Sequence, residues 1–391
     1  MKRVGIITHY YNNENMGGLL QAYAMVEIVK KLGYHAEQIC YDREKLDPQG
    51  RKLQRRLRIV RLLESGPGNL LRMAASLYKR QVGKGKTGNI RKELQIQKEK
   101  FKEFESAIQH SELIYYAEGI EQTNQLYDIF ICGSDQIWNP HWMAHSAYYL
   151  TFAEKEKRKI SYAASMGKNC VTRVEEKILK ERLMKLDAVS VREESLKRLI
   201  EEEMDLKCVK AADPTLILDA DQWRRIARVY SVEKQYLFCY FLGDCSWQRK
   251  LAVSLAKEQK LEVVSLSYIQ NTVRKSDRCL TGIKCYDAGP GEFVSLIEHA
   301  QYVLSDSFHA IAFSLNFHKQ LIAFNRDGLS GKHTMNSRIH DLLEDFGLLE
   351  YLVEKPSDLE KAMEAIEYSK VDKIMAEMRT VSLNWLREAL C

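Results

Sequence analysis

The chain has 391 residues, 45% apolar and 29% charged, with a formal net charge of +6. At roughly 100–200 residues per domain, that length calls for two or three domains. Six prolines and 20 glycines exclude collagen-like and low-complexity classes, and no apolar run reaches the roughly 18 residues of a membrane-spanning helix. The charge is uneven. Residues 45–102 hold 17 Lys/Arg against four acids, a local charge of +13, so the rest of the chain carries about −7. A uniformly basic surface is excluded, and no nucleic-acid partner is expected. Met1-Lys2-Arg3 precedes an apolar stretch too short for a signal peptide, which predicts a cytoplasmic protein. The nine cysteines are scattered without a CxxC pair, so buried, reduced thiols are expected and no metal site.

In chain order, Val4–Thr8 reads as a strand, and a polar loop ending in Gly17-Gly18 leads into a helix over Leu19–Leu32, stopped by Gly33. Ala36–Tyr41 is the next strand. Strand, helix and strand in about 40 residues predict a βαβ unit and a parallel sheet. Two helices are predicted over 50–64 and 69–82, with Leu57, Val60 and Leu63 opposite Arg55, Arg58 and Arg61. Gly83–Gly88 breaks the chain before a charged helix over Asn89–Ser106. Strands follow at Tyr127–Cys132, Lys159–Ala164 and Ala188–Arg192, and helices at Val171–Leu186 and Glu194–Met204. A seam near Asp213-Pro214-Thr215 and Trp223 opens a second α/β series. Its strands are Tyr236–Leu242, Leu261–Leu266, Tyr302–Leu304 and Gln320–Ala323. Its helices are Trp247–Gln259, Gly291–Ala300, Ser307–Phe317 and Ser337–Phe346, and one helix over Ser357–Leu390 closes the chain. The expected organisation is an N-terminal unit over 1–220 with a basic helical insertion at about 45–105, a second unit over 221–355, and a terminal helix over 356–391.

In parallel sheets of this kind, ligands bind at the carboxyl ends of strands, where loops feed helix N-termini. Ser305-Asp306-Ser307-Phe308-His309-Ala310 has that context. A helix start favours anions, Ser305 or Asp306 can cap it, and the dipole disfavours an imidazolium, leaving His309 able to take a proton. The competing reading is a cap with a partly buried histidine. Gly133-Ser134-Asp135-Gln136-Ile137-Trp138-Asn139 also lies beyond a strand. Ser134, Asp135, Gln136 and Asn139 offer groups that read sugar hydroxyls and Trp138 a ring face, or else the segment is a polar turn with Trp138 packed inward. Asn15-Met16-Gly17-Gly18 lacks a full GxGxxG and a Walker lysine. Arg192 at a strand end and Arg338 at a helix start can each bind an oxyanion or form a salt bridge.

These segments together resemble the polysaccharide pyruvyl transferases. Gly5-Ile6-Ile7-Thr8, Asn15 to Ala24, Tyr127 to Asn139, Ser190-Val191-Arg192-Glu193, Asp213 to Leu218 and Ser305 to Ser314 carry the resemblance, in order over about residues 1–355. It implies an α/β, GT-B-like fold with two Rossmann-like domains facing each other across a cleft, the second binding the donor. It further implies transfer of pyruvate from phosphoenolpyruvate, as a ketal, to a sugar of a cell-surface or exopolysaccharide glycan. The expected partners are phosphoenolpyruvate as donor substrate, with no cofactor or metal, and a glycan or lipid-linked oligosaccharide acceptor. Apart from the resemblance, residues 50–82 pair an apolar stripe with arginines and read either as a helical hairpin packed on the first domain with a solvated basic face or as one that meets an anionic membrane at its inner face.

On that reading His309 and Asp306 are catalytic, and Arg192, Ser307, Arg338 and Arg326 bind the donor. Asn15, Gly17, Ser134, Asp135, Gln136 and Asn139 line the acceptor side. Some members carry an arginine where this chain has Ser307, so Arg338 or Arg326 is expected to grip the donor instead. His309-Ala310 stands where a glycine often follows the histidine. A GT-B glycosyltransferase with a nucleotide-sugar donor and a non-catalytic glycan-binding relative are the alternative readings.

Overall fold

The buried run Val4–Ile7 forms the core of strand β1 (Arg3–Ile7), around which the first sheet is assembled. The computed structural model describes residues 1–64, 90–168, 171–267, 274–326 and 336–391. The chain forms two compact units. The first comprises the described residues of Met1–Lys84, Glu105–Pro214 and Thr380–Cys391, and the second those of Gly85–Phe104 and Thr215–Arg379. The boundary therefore falls at Pro214/Thr215 rather than near 220, and the terminal helix is divided rather than separate.

In the first unit, β1 is joined by β2 (His35–Tyr41), β3 (His110–Tyr115), β4 (Ile129–Cys132), β5 (Arg158–Ala164), β6 (Ala188–Val191) and β7 (Val209–Lys210). The order is β3-β2-β1-β4-β5-β6-β7, and every pairing is parallel. The strands nearest the middle are buried on both faces, hence their unbroken apolar sequences. Helix α1 (Met16–Lys31) crosses from β1 to β2; Asn15 caps its start through Oδ1, and Gly33, at φ +91°, carries the chain out of it. Helix α2 is Pro48–Glu64, and α3 is Arg91–Ala107. The helix α4 (Arg173–Leu183) starts on a reciprocal Thr172/Glu175 capping box.

The second unit repeats the plan. Strands β8 (Tyr236–Tyr240), β9 (Glu262–Ser265), β10 (Ile283–Lys284), β11 (Tyr302–Ser305), β12 (Gln320–Phe324) and β13 (Leu352–Val353) lie in the order β10-β9-β8-β11-β12-β13, again all parallel. Its main helices are α5 (Ser246–Glu258), α6 (Pro290–Glu298), α7 (Phe308–Asn316) and α8 (Ser337–Asp345). Both sheets start in the middle and reverse direction of growth once. The reversal lies between β1 and β4 in one and between β8 and β11 in the other, and such switch points are where α/β sheets bind ligands.

Three expectations are corrected. The single helix over 357–390 is broken into Leu359–Ala362 and α9 (Tyr368–Leu390). The side-chain amide of Gln320 takes the carbonyls of Ala362 and Glu364 and accepts from Ile366 N, diverting backbone groups that a continuous helix would use. The helix over 194–204 ends after Arg198 and continues as a π-turn over Leu199–Glu203. On α2, Leu57 is buried as expected, but Leu63 is 79% exposed and Arg61 turns inward to Glu175 Oε1 at 2.6 Å. The helix expected over 69–82 and the Gly83–Gly88 break lie outside the described residues.

Candidate functional site

The switch point of the second unit is built around Asp306, which follows β11. Its carboxylate is fully buried and accepts from the backbone N–H groups of Leu242 and Gly243 at 2.5 and 2.7 Å. Burial raises its pKa, while Arg326 and those two N–H groups pull in the opposite direction. The carbonyls of the same loop are taken from the other side. Arg249 donates to Gly243 O at 2.8 Å and to Asp277 Oδ1 at 2.8 Å, and Arg274 donates to Phe241 O and Gly243 O at 3.2 and 3.0 Å. A Cβ on Gly243 would stand 1.6 Å from Arg326 O, so no larger residue fits there. The loop after β8 is thus held by one buried carboxylate and two guanidinium groups.

Against this loop the chain turns into α7. Ser305 Oγ donates to Tyr240 O and accepts from Ser307 N at 3.1 Å. Ser307 occupies the N-cap position without a side-chain cap bond, and the positive end of the helix dipole at this first turn favours an anion. His309 is the second residue of α7, 7% exposed, with its ring edge-on to Phe308 at 5.3 Å. Arg326 leaves the end of β12, where its N–H donates to Asn336 Oδ1 at 2.9 Å, and Arg338 sits buried in the first turn of α8. Asp306, Ser307, His309 and Arg326 are therefore gathered at the carboxyl ends of neighbouring strands.

In the first unit the switch point gathers Ser134, Asp135, Arg192 and Asp213. The guanidinium of Arg192 is buried and bound to Asp213 Oδ2 at 2.6 Å and Glu193 Oε1 at 3.0 Å. Burial works against its charge, but Glu193, Asp213 and Asp135 outweigh it and raise its pKa. Ser134 Oγ lies 2.8 Å from Ala163 O and 3.0 Å from the same Asp213 oxygen. Asp135 adopts φ +61°, a left-handed conformation uncommon for a side-chain-bearing residue, and its carbonyl accepts from Ile137 and Ser165. Asn139 Oδ1 accepts from His141 N at 3.0 Å, and Gln136 Oε1 lies 3.3 Å from Asn139 Nδ2. Asn15 and Gly17 stand at the start of α1, where Asn15 Oδ1 accepts from Gly18 N at 3.2 Å.

Trp138 is packed inward. It is fully buried, stacked on Tyr149 at 6.0 Å, and donates from Nε1 to Tyr148 O, so the ring face expected for a sugar is part of the core. Arg249 and Asp277 escaped sequence reasoning; the signal was a basic residue on the stripe Arg249, Ala252, Ala256 that α5 buries. No group of His, Cys, Asp and Glu suited to a metal occurs among the described residues.

Two parallel Rossmann-like units, each with polar turns at its switch point, define an α/β protein of the GT-B-like class. The UDP-GlcNAc 2-epimerase of Neisseria meningitidis, solved with UDP-GlcNAc bound, superposes with a TM-score of 0.51 at 10% identity, covering 100% of this chain and 99% of that one. The epimerase of Methanocaldococcus jannaschii gives 0.49 at 9% identity, covering 93% and 92%. No curated protein matches the sequence. The chain belongs to the polysaccharide pyruvyl transferase family, whose model matches residues 15–328.

Proposed function

We propose that the protein transfers pyruvate from phosphoenolpyruvate to two hydroxyls of one glycan sugar, forming a ketal and releasing phosphate. The observation that carries this reading is His309 in the first turn of α7, beside a loop held rigid by Asp306, in a chain of this family. A proton added to the methylene carbon of the donor makes the adjacent carbon electrophilic. One sugar hydroxyl adds there, phosphate leaves, and the second hydroxyl completes the ketal. Of the two hydroxyl protons, one balances that taken up by the methylene and the other leaves with phosphate. His309 is the general acid and base, and the α7 N-terminus with Arg326 and Arg338 holds the donor anion. Asp306 and Arg192 are positioning residues, since each is engaged in holding a strand-end turn. The acceptor is assigned to the turns carrying Asn15, Gly17, Ser134, Asp135, Gln136 and Asn139.

Helix α2 supports a peripheral station at an anionic membrane: Ile59 and Leu63 are 58% and 79% exposed beside the exposed Lys52, Arg55 and Arg56. The donor is tested by incubating the protein with a bacterial exopolysaccharide panel and either phosphoenolpyruvate or UDP-sugars. Phosphate release with phosphoenolpyruvate, dependent on acceptor, is expected; sugar transfer from UDP-sugars alone would replace this reading with a glycosyltransferase.

A further inference from the structure

At the ends of β1 and β2, the first unit assembles a cluster that the proposed reaction leaves unused. His9 follows β1, Tyr41 ends β2, Arg43 follows it, and residues 139–149 bring Trp142, His145 and Tyr148 against them. His9 is 6% exposed, its Nε2 makes no hydrogen bond, and its ring packs on Trp142 at 5.1 Å and Tyr148 at 4.4 Å. Tyr41 Oη lies 3.1 Å from His145 Nδ1. Arg43 lies over the half-buried Trp142 indole at 4.7 Å, and its charge acts on the buried Tyr148 hydroxyl against the upward push of burial.

The charges explain what this arrangement can bind. Burial, with help from Arg43, lowers the pKa of both His9 and His145, so the inner wall is uncharged at neutral pH. The nearby carboxylates of Asp42 and Asp47 accept from the backbone N–H groups of Glu44 and Gly50. Among the described residues, no carboxylate pairs with Arg43 within ion-pair distance. A half-buried guanidinium that has five donors, is seated on an indole and has no counter-ion among the described residues suits an oxyanion. The half-buried indole and the exposed His141 beside it, 4.6 Å between ring centroids, add an apolar face and a hydrogen-bonding edge.

We propose that Arg43, Trp142 and His141 form a subsite for a sugar carrying an anionic group, a phosphate or a carboxylate, whose oxyanion meets the Arg43 guanidinium. This deepens the acceptor half of the function proposed above and rests on it for the choice of a saccharide. The sugar packs against Trp142, and the neutral His9 beneath fixes the indole without adding a competing charge.

Intrinsic tryptophan fluorescence of the full chain, without donor, tests the subsite with glucose 1-phosphate, glucuronate, glucose and inorganic phosphate as probes. A saturable change is expected with glucose 1-phosphate or glucuronate, and which of the two binds tighter identifies the anion. Glucose and inorganic phosphate are expected to bind at least tenfold more weakly. Arg43→Gln weakens the anionic sugar at least tenfold, as does Arg43→Lys, which keeps the charge and loses the fork. Trp142→Phe abolishes the signal while calorimetric binding persists. Equal affinity in wild type and both Arg43 variants, or equal affinity for inorganic phosphate and glucose 1-phosphate, would overturn the proposal. Because no donor is present, binding through Arg43 by a protein that forms no ketal would refute the pyruvyl-transfer reading and leave the subsite standing.

Discussion

His9 and His145 show how burial converts titratable side chains into neutral structural ones. His145 is pulled down to about 4, by burial first and then by Arg43 and His141, with Asp47 acting in the opposite direction. Tyr41 and Tyr148 pack against it from β2 and from its own segment. Its folded pKa lies below the unfolded value of about 6.5, so the unfolded chain takes up the proton first as pH falls. Stability is therefore intact above about pH 6.5 and is lost as pH drops toward 4, by up to about 3 kcal/mol for this one residue. His145→Gln should flatten that part of the profile. Urea midpoints at pH 7 and pH 4.5 for wild type and variant check it; an unchanged difference between the two pH values would show that His145 takes no part. None of this was legible in the sequence, because His9, Tyr41 and His145 come from three separate segments. The readable residues were those whose neighbours in sequence are also their partners. Ser305, Asp306 and Ser307 could be placed at a strand–helix junction, whereas the Arg249–Asp277 pair that completes the same loop could not.

At the level of elements, long apolar runs and capped helices were readable and short edge strands were not. β4, β8 and β11 are buried along nearly their whole length, so their apolar runs identify them. β3 has three exposed residues among six, and β7, β10 and β13 have two residues each, too few for any pattern. The break before α9 arises from the distant Gln320, a tertiary cause that local periodicity does not contain. Helix α2 was legible as amphipathic, but the direction of its faces was not: Arg61 is drawn in by Glu175 and Leu63 is left out. That outward stripe of Lys52, Arg55, Arg56, Ile59 and Leu63 predicts attachment to anionic vesicles, each cation contributing about 1 kcal/mol near the surface. Co-sedimentation at low salt should recover more protein with phosphatidylglycerol vesicles than with phosphatidylcholine, and Ile59→Ser with Leu63→Ser should reduce the difference. Equal recovery on both vesicles would show that α2 does not attach to anionic membrane.

Across the whole molecule, two sheets of the same strand order place the motif residues at two switch points. The order of motifs along the chain was enough to anticipate this plan, since strand, polar turn and helix start recur at Gly133–Asn139 and Ser305–Ala310. The units' exchange of segments was hidden, because Thr380–Cys391 joins the first unit through contacts such as Ala212 N to Ser382 Oγ, far apart in sequence. His309 is the residue proposed to move protons in pyruvyl transfer. The direct measurement is the single-turnover rate with labelled phosphoenolpyruvate and a saturating glycan acceptor, for wild type and His309→Gln, with the melting temperature of the same preparations. If His309 is the general acid and base, the variant's rate is lower by roughly 10²–10⁴-fold, with donor affinity nearly unchanged and a melting temperature close to wild type. A His309→Gln protein that is destabilised yet transfers pyruvate at the wild-type rate per folded molecule would contradict it.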